Sequence, residues 1–210
     1  MVVKLQGGLG NQMFQYAYGR SWGAKFDRSG IIPPRTYALE PFNLPIEFED
    51  NCPTAEQGYW QSEKYFDAEI ASKAFCGPPM ETLNRIAVHI RLTDNLTERA
   101  LALHGNLLTT DYYQKALRYL PKLEIDAFSD NPFQAQIYFG NARCGVPHLD
   151  IWEMSRYKYI VIANSSFSWW AAWLGTPKVV VAPKRWFVAP EKADPTCKME
   201  DICPDRWIKI

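Results

Sequence analysis

Residues 159–163, Tyr-Ile-Val-Ile-Ala, are apolar without alternation, the pattern of a strand covered on both faces. Asn164, Ser165 and Ser166 follow, short polar side chains that suit a helix start. Residues 167–174 then predict a short helix, with Trp169 and Trp173 four apart on one face and Ala171 and Ala172 permitting close packing. Gly175, Pro177 and an apolar strand at 179–181 close the unit. The same alternation recurs along the chain. A strand at 2–5 runs into a glycine-rich turn and a helix at about 12–24, whose Met13, Phe14, Tyr16, Ala17 and Tyr18 cover most faces. Buried strands are predicted at 86–90 and 125–128, and helices at 67–75, 110–120 and 150–156. Residues 27–50 show little regular pattern, and Cys76-Gly-Pro-Pro79 reads as a linker. Strands alternating with helices give an α/β class, divided into a domain at 1–80 and a second at 81–210.

Composition narrows the partners. The 210 residues carry 23 Lys plus Arg against 23 Asp plus Glu, so no overall field draws the chain to nucleic acid or an anionic membrane. Any anion site is therefore local. Five cysteines without a CxxC spacing, and three histidines, argue against a disulfide framework and a metal centre. No apolar run has the length of a membrane span and no signal peptide is visible, which predicts a cytoplasmic location. The glycosylation patterns at Asn95 and Asn164 are discounted for that reason.

Candidate chemistry collects behind the strands. Gly7, Gly8 and Gly10 let backbone approach a ligand, and the helix start behind them favours negative charge. A dinucleotide fingerprint needs a third glycine where this chain has Met13, and a plain tight turn is a competing reading. His89 lies at the end of the strand at 86–90 with Arg91 just after it, Ser129 and Asp130 follow the strand at 125–128, and Asn164, Ser165 and Ser166 the strand at 159–163. In a parallel sheet those ends gather at one edge, where ligands bind. Glycine N–H groups, an arginine fork and a helix start suit a diphosphate. A carboxylate can accept both N–H groups on the Watson–Crick edge of guanine.

Four motifs closely resemble the α-1,2-fucosyltransferases of glycosyltransferase family 11: Gly7-Gly-Leu-Gly-Asn-Gln-Met-Phe-Gln-Tyr-Ala17, Val88-His-Ile-Arg91 with Asp94, Phe128-Ser-Asp130, and Asn164-Ser-Ser-Phe-Ser-Trp-Trp-Ala-Ala-Trp-Leu174. Gly58-Tyr-Trp-Gln-Ser-Glu-Lys-Tyr-Phe66, Ala182-Pro-Lys-Arg-Trp-Phe187 and Trp207-Ile-Lys-Ile210 are similar to that family too. The resemblance implies a GT-B architecture of two Rossmann-type domains, the first reduced. It implies inverting transfer of L-fucose from GDP-β-L-fucose to the 2-hydroxyl of a terminal galactoside, with no metal and no cofactor. By the same resemblance Arg91 holds the β-phosphate, and His89 and Asp130 the nucleoside. Gly7, Gly8, Gly10, Asn11, Ser129, Asn164, Ser165, Ser166 and Phe167 complete the donor site. Tyr59, Trp60 and Gln61 face the acceptor, a galactose-terminated glycan. His89, Arg91 and Asp94 form the catalytic set, Asp94 as candidate general base. Such enzymes meet lipid-linked glycans, so the resemblance is compatible with peripheral contact at the inner face of a membrane.

The chain departs from the family in three ways. Leu92 stands where a second arginine is usual, and Asn131 where an acid is common. Material is missing at 27–37, around 43–58 and before Arg85. Two other classes therefore stay open beside the enzyme: a GDP-fucose-binding remnant without transferase activity, and a dinucleotide-dependent oxidoreductase using the glycine loop.

Overall fold

The computed structural model describes residues 1–92 and 97–210, apart from the side chain of Arg99. The chain forms two compact units, Met1–Cys76 with Asp194–Pro204, and Gly77–Ala193 with Asp205–Ile210.

In the first unit β1 (Val2–Lys4) pairs in parallel with β2 (Lys25–Asp27), and α1 (Leu9–Ser21) is the crossover that parallel pairing requires. Bridges from Glu56 to Val3 and from Phe48 to Phe26 widen this two-stranded sheet on either side. The helix starts three residues earlier than the apolar pattern suggests. The Gly8 carbonyl accepts from Asn11 and Gln12 N–H, so Leu9 and Gly10 already belong to the first turn. Burial on all faces would orphan polar groups, and two fully buried glutamines meet that cost in hydrogen bonds. The Gln12 amide donates to Gly7 and Thr36 carbonyls and accepts from Ala38 N–H. The Gln15 amide donates to the Gly58 carbonyl and accepts from Gln6 N–H. Both glutamines thereby pin the glycine turn and the segments beside it. α2 (Ala68–Phe75), capped by Asp67, sends Phe75 edge-on against Tyr16 of α1. Residues 194–204 join this unit because Thr196 Oγ1 accepts from Tyr59 and Trp60 N–H, and Ser62 Oγ donates to the Asp201 carbonyl.

The second unit is built on six strands: β3 (Leu83–Ile90), β4 (Ile125–Ser129), β5 (Ala142–Arg143), β6 (Tyr157–Val161), β7 (Val179–Ala182) and β8 (Ile208–Lys209). All pair in parallel, in the order β5-β4-β3-β6-β7-β8. The chain therefore starts in the middle, works outward to one edge, and returns to build the other half. That is the Rossmann order, and the reversal lies between β3 and β6. Among the described residues, β3 to β7 are connected through α3 (Glu98–His104), α4 (Tyr112–Leu117), α5 (Pro132–Phe139), α6 (Pro147–Ser155) and α7 (Ser166–Leu174). The central strands carry Ile86, Val88, Ile90, Tyr159 and Val161 into one core with Tyr112, Tyr113 and Ala116 of α4. Trp169 sits among Trp170, Trp173 and Trp207 at centroid distances of 5.1, 6.0 and 5.6 Å. The aromatic run of α7 is thus packing material. Asp126 of β4 ties four strands together, through Arg85 of β3, Arg143 of β5 and the Tyr157 hydroxyl of β6.

Candidate functional site

Adjacent strands whose connections leave in opposite directions part at their carboxyl ends and leave a crevice there. At this crevice β3 ends on His89, Ile90 and Arg91, and β6 runs out through Ala163 and Asn164 into Ser165. Two neighbouring tyrosines of α4 fix the two sides. The Tyr112 hydroxyl donates to the Ile162 carbonyl (2.6 Å), and the Tyr113 hydroxyl donates to the His89 carbonyl (3.0 Å). Burial raises the Tyr113 pKa, so its proton stays in place. A cleft opens here, lined by Arg91, Ala163, Asn164, Tyr113 and the loop at 105–108.

Arg91 Nη1 donates to Ser165 Oγ at 3.0 Å. Ser165 occupies the N-cap position of α7, yet its side chain makes no cap hydrogen bond, and no acidic residue lies in the first turn. The hydroxyl that could have closed the helix start is held by the guanidinium. A positive helix end and an arginine fork therefore meet at one point, an arrangement whose chemistry suits an anion.

His89 is 4% exposed and lies over the Phe167 ring at 5.4 Å and 28°. Burial, reinforced by the Arg91 charge and opposed by Asp130, pushes its pKa down to about 3. The imidazole is neutral at physiological pH, and its Nδ1 is buried without a hydrogen-bond partner. Asp130, at the end of β4, is exposed and accepts Leu92 N–H at 2.7 Å. That bond couples the ends of β3 and β4. The Leu92 side chain points the other way, fully buried with Ile90, Tyr112 and Tyr113 in the core.

Other residues expected at the site hold it together. Asn164 gives its amide hydrogens to the carbonyls of His104 (2.9 Å) and Trp186 (3.2 Å), bracketing two loops. Ser129 Oγ accepts Asn131 N–H, and Asn131 caps α5. Ser166 and Phe167, both half-buried, form the first turn of α7. Asp94, the candidate base, lies outside the described residues. Sequence reasoning missed Tyr112, the hydroxyl role of Tyr113, and the loop at 105–108. The Gly105-Asn106 turn signal was there to find; the tyrosine hydroxyls carry no sequence signal apart from their helix.

In the first unit, Gly7 has a φ of +77°, and a Cβ there would meet Asn11 Nδ2 at 2.6 Å. The left-handed backbone is what favours glycine here, since the Asn11 amide is the end of a flexible side chain that can shift. Asn11 Oδ1 accepts from Gln61 Nε2 at 2.8 Å. Trp60, with a φ of +44°, is buried and stacks on Tyr18 at 4.2 Å. The Tyr59 and Trp60 N–H groups are held by Thr196, as above. Of the three residues expected on the acceptor side, Trp60 thus has one ring face covered, Tyr59 is half-buried, and Gln61 turns toward α1.

Comparison with known proteins fits this chemistry. The chain is 35% identical over 160 residues to the O-antigen biosynthesis glycosyltransferase WbnK of Escherichia coli, a match covering 69% of this chain and 49% of that protein. It is 28% identical over 300 aligned positions to an alpha-1,2-colitosyltransferase of Escherichia coli, covering all of this chain and 98% of that protein. This chain is a relative of glycosyltransferases. It spans about half the length of the first relative. Its 210 residues are spread along nearly the whole of the second, which carries internal stretches lacking here. No family profile and no solved structure matches the chain. Among the described residues, no helix of this glycosyltransferase relative is long and apolar enough to cross a membrane.

Proposed function

We propose that the chain is an inverting, metal-independent α-1,2-fucosyltransferase, moving L-fucose from GDP-β-L-fucose to the 2-hydroxyl of a terminal galactoside. The observation that carries this reading is the Arg91 guanidinium held on Ser165 at the uncapped start of α7, in the crevice between β3 and β6. The acceptor oxygen attacks the anomeric carbon while the bond to the β-phosphate oxygen breaks from the opposite face. The bonding electrons pass to the phosphate, and the acceptor proton passes to a base. Charge on the leaving diphosphate grows in the transition state, where fixed donors are worth most. Arg91 and the first N–H groups of α7 are such donors.

The low pKa of His89 makes it a poor general base near neutral pH. Its neutral ring suits hydrogen bonding to the nucleoside, and the proton-accepting role stays with Asp94. Asp130, exposed just after β4, is assigned to the guanine edge. Asp130→Ala should weaken GDP binding far more than UDP binding, and equal loss in calorimetry would remove that assignment. The glycan acceptor and any peripheral contact with the membrane that carries it belong to this same reading. The colitosyltransferase relative favours a second donor sugar at the same site.

The test is incubation with GDP-fucose or GDP-colitose and a panel of galactosides, with product linkage read by NMR. A fucosyl-α-1,2-galactoside product is expected. Nucleotide binding without any product would mark a binding remnant, a reading that the single arginine at 91–92 favours.

A further inference from the structure

The second unit leaves an apolar face uncovered at the β5 edge of its sheet. Five of the twelve large apolar side chains that are exposed among the described residues fall between positions 133 and 149. Phe133, Ile137 and Tyr138 of α5 are 84%, 77% and 51% exposed, and Val146 and Leu149, after β5, are 50% and 49% exposed. Phe133 and Ile137 are four apart and share one face of the helix, while Ala135 is the residue that α5 buries. α5 starts just past the carboxyl end of β4, and Val146 follows the carboxyl end of β5, which pairs with β4 in parallel. The start of the helix and the turn after β5 therefore share one end of the sheet.

Charge narrows what can cover this face. Between Asp130 and Asp150 the chain has one charged residue, Arg143, although 22% of the whole sequence is charged. Arg143 Nη2 lies 3.1 Å from Asp126 Oδ1, and its guanidinium sits over the Phe128 ring at 5.0 Å, so its charge is balanced within the unit. An anionic lipid surface is held by clustered Lys and Arg, and a charged protein partner by complementary charges. The segment 131–149 supplies neither. In a two-fold contact the patch meets itself, and any charge near the axis meets its like. An uncharged face is the kind that can pair with its own copy.

The area is sufficient. The exposed parts of these five side chains amount to roughly 500 Å² per chain, toward the upper end of what a monomer leaves bare. Two copies together bury about 1,000 Å², where specific interfaces begin. β5 is two residues long, too short to template strand pairing, so side chains carry the contact.

We propose that α5 and the turn after β5 pair with the same face of a second copy of this chain, in a two-fold dimer with Phe133 and Ile137 at its centre. The dimer does not depend on which nucleotide or sugar the crevice takes.

Sedimentation velocity of the full chain over a range of concentrations provides the test. Wild type should pass from monomer to a species of twice the mass, with a dissociation constant on the order of 10 μM. Phe133→Gln and Ile137→Gln keep helix propensity at positions too exposed to hold the fold, and each should weaken association by about tenfold or more. Cys144 lies inside the patch and Cys76 outside it, and both thiols are exposed. Alkylation by N-ethylmaleimide, read by mass spectrometry, should slow at Cys144 as wild type is concentrated and stay constant at Cys76. In the Phe133→Gln chain the dependence at Cys144 should disappear. A wild type that stays monomeric throughout overturns the proposal, and flotation of that monomer with phosphatidylcholine vesicles, lost in Phe133→Gln, would give the face to lipid instead. A dimer that survives both glutamine substitutions, or that protects Cys76 in place of Cys144, uses another face and overturns it equally.

Discussion

Arg91 lines the crevice, and its Nη1 donates to Ser165 Oγ, a bond that orients the guanidinium. Removing such a preorganised donor costs roughly 10²–10³ in rate, so Arg91→Ala should reduce the turnover number on GDP-fucose by about that factor. Arg91→Lys should recover little, because a point charge cannot hold the serine and the phosphate in one plane. An unchanged turnover number would remove Arg91 from the mechanism. His89 makes a prediction of a different kind. Its folded pKa of about 3 lies below the ordinary histidine value of 6.5. The unfolded chain therefore binds an extra proton between those two values, and stability falls as pH drops below about 6.5, by up to about 1.4 kcal/mol per pH unit. Above 6.5 the group is neutral in both states and contributes no slope. His89→Asn should flatten the dependence of denaturation free energy on pH between 6 and 4; an unaltered slope would contradict the buried neutral state. His89, Arg91, Asp130 and Ser165 were legible in the sequence because each lies in or just after the end of an apolar strand. Tyr112 and Tyr113 were not, since their hydroxyls reach the crevice only once α4 has packed on the sheet.

Element boundaries followed the same logic. Strands β3, β4, β6 and β7 lay open to reading because burial leaves each mostly apolar, with Asp126 in β4 and His89 in β3 the buried polar exceptions. β2, β5 and β8 are two or three residues long, too short for any periodicity to develop. α5 escaped notice because its apolar residues face outward: Phe133 and Ile137 are 84% and 77% exposed. Only Asn131 and Pro132 announced its start. α7, whose start meets Arg91, is fixed at its far end by one close approach. A Cβ on Gly175 would stand 2.3 Å from the Ser155 carbonyl oxygen at the end of α6. Gly175 has a φ of −79°, so backbone strain is not the reason for glycine. Gly175→Ala must push α6 and α7 apart and should destabilise by about 1–3 kcal/mol in chemical denaturation. A variant as stable as wild type would mean that the two helices are not held in this register.

At the scale of the molecule, one chain supplies two parallel-sheet units of unequal size, and its tail serves both: 194–204 completes the first and 205–210 adds the edge strand of the second. The α/β alternation was visible in the sequence; the division of the tail was not, because it depends on hydrogen bonds such as Thr196 to Tyr59 across 137 residues. At the end of β3, the Leu92 side chain joins the core while its N–H holds Asp130. We propose that this crevice binds the diphosphate of a guanine nucleotide. Calorimetric titration of GDP, with UDP as control, into the wild-type and Arg91→Ala chains tests it most directly. GDP should bind wild type more tightly than UDP does, and Arg91→Ala should weaken GDP by about tenfold or more. Equal GDP affinity in the two proteins would contradict the account.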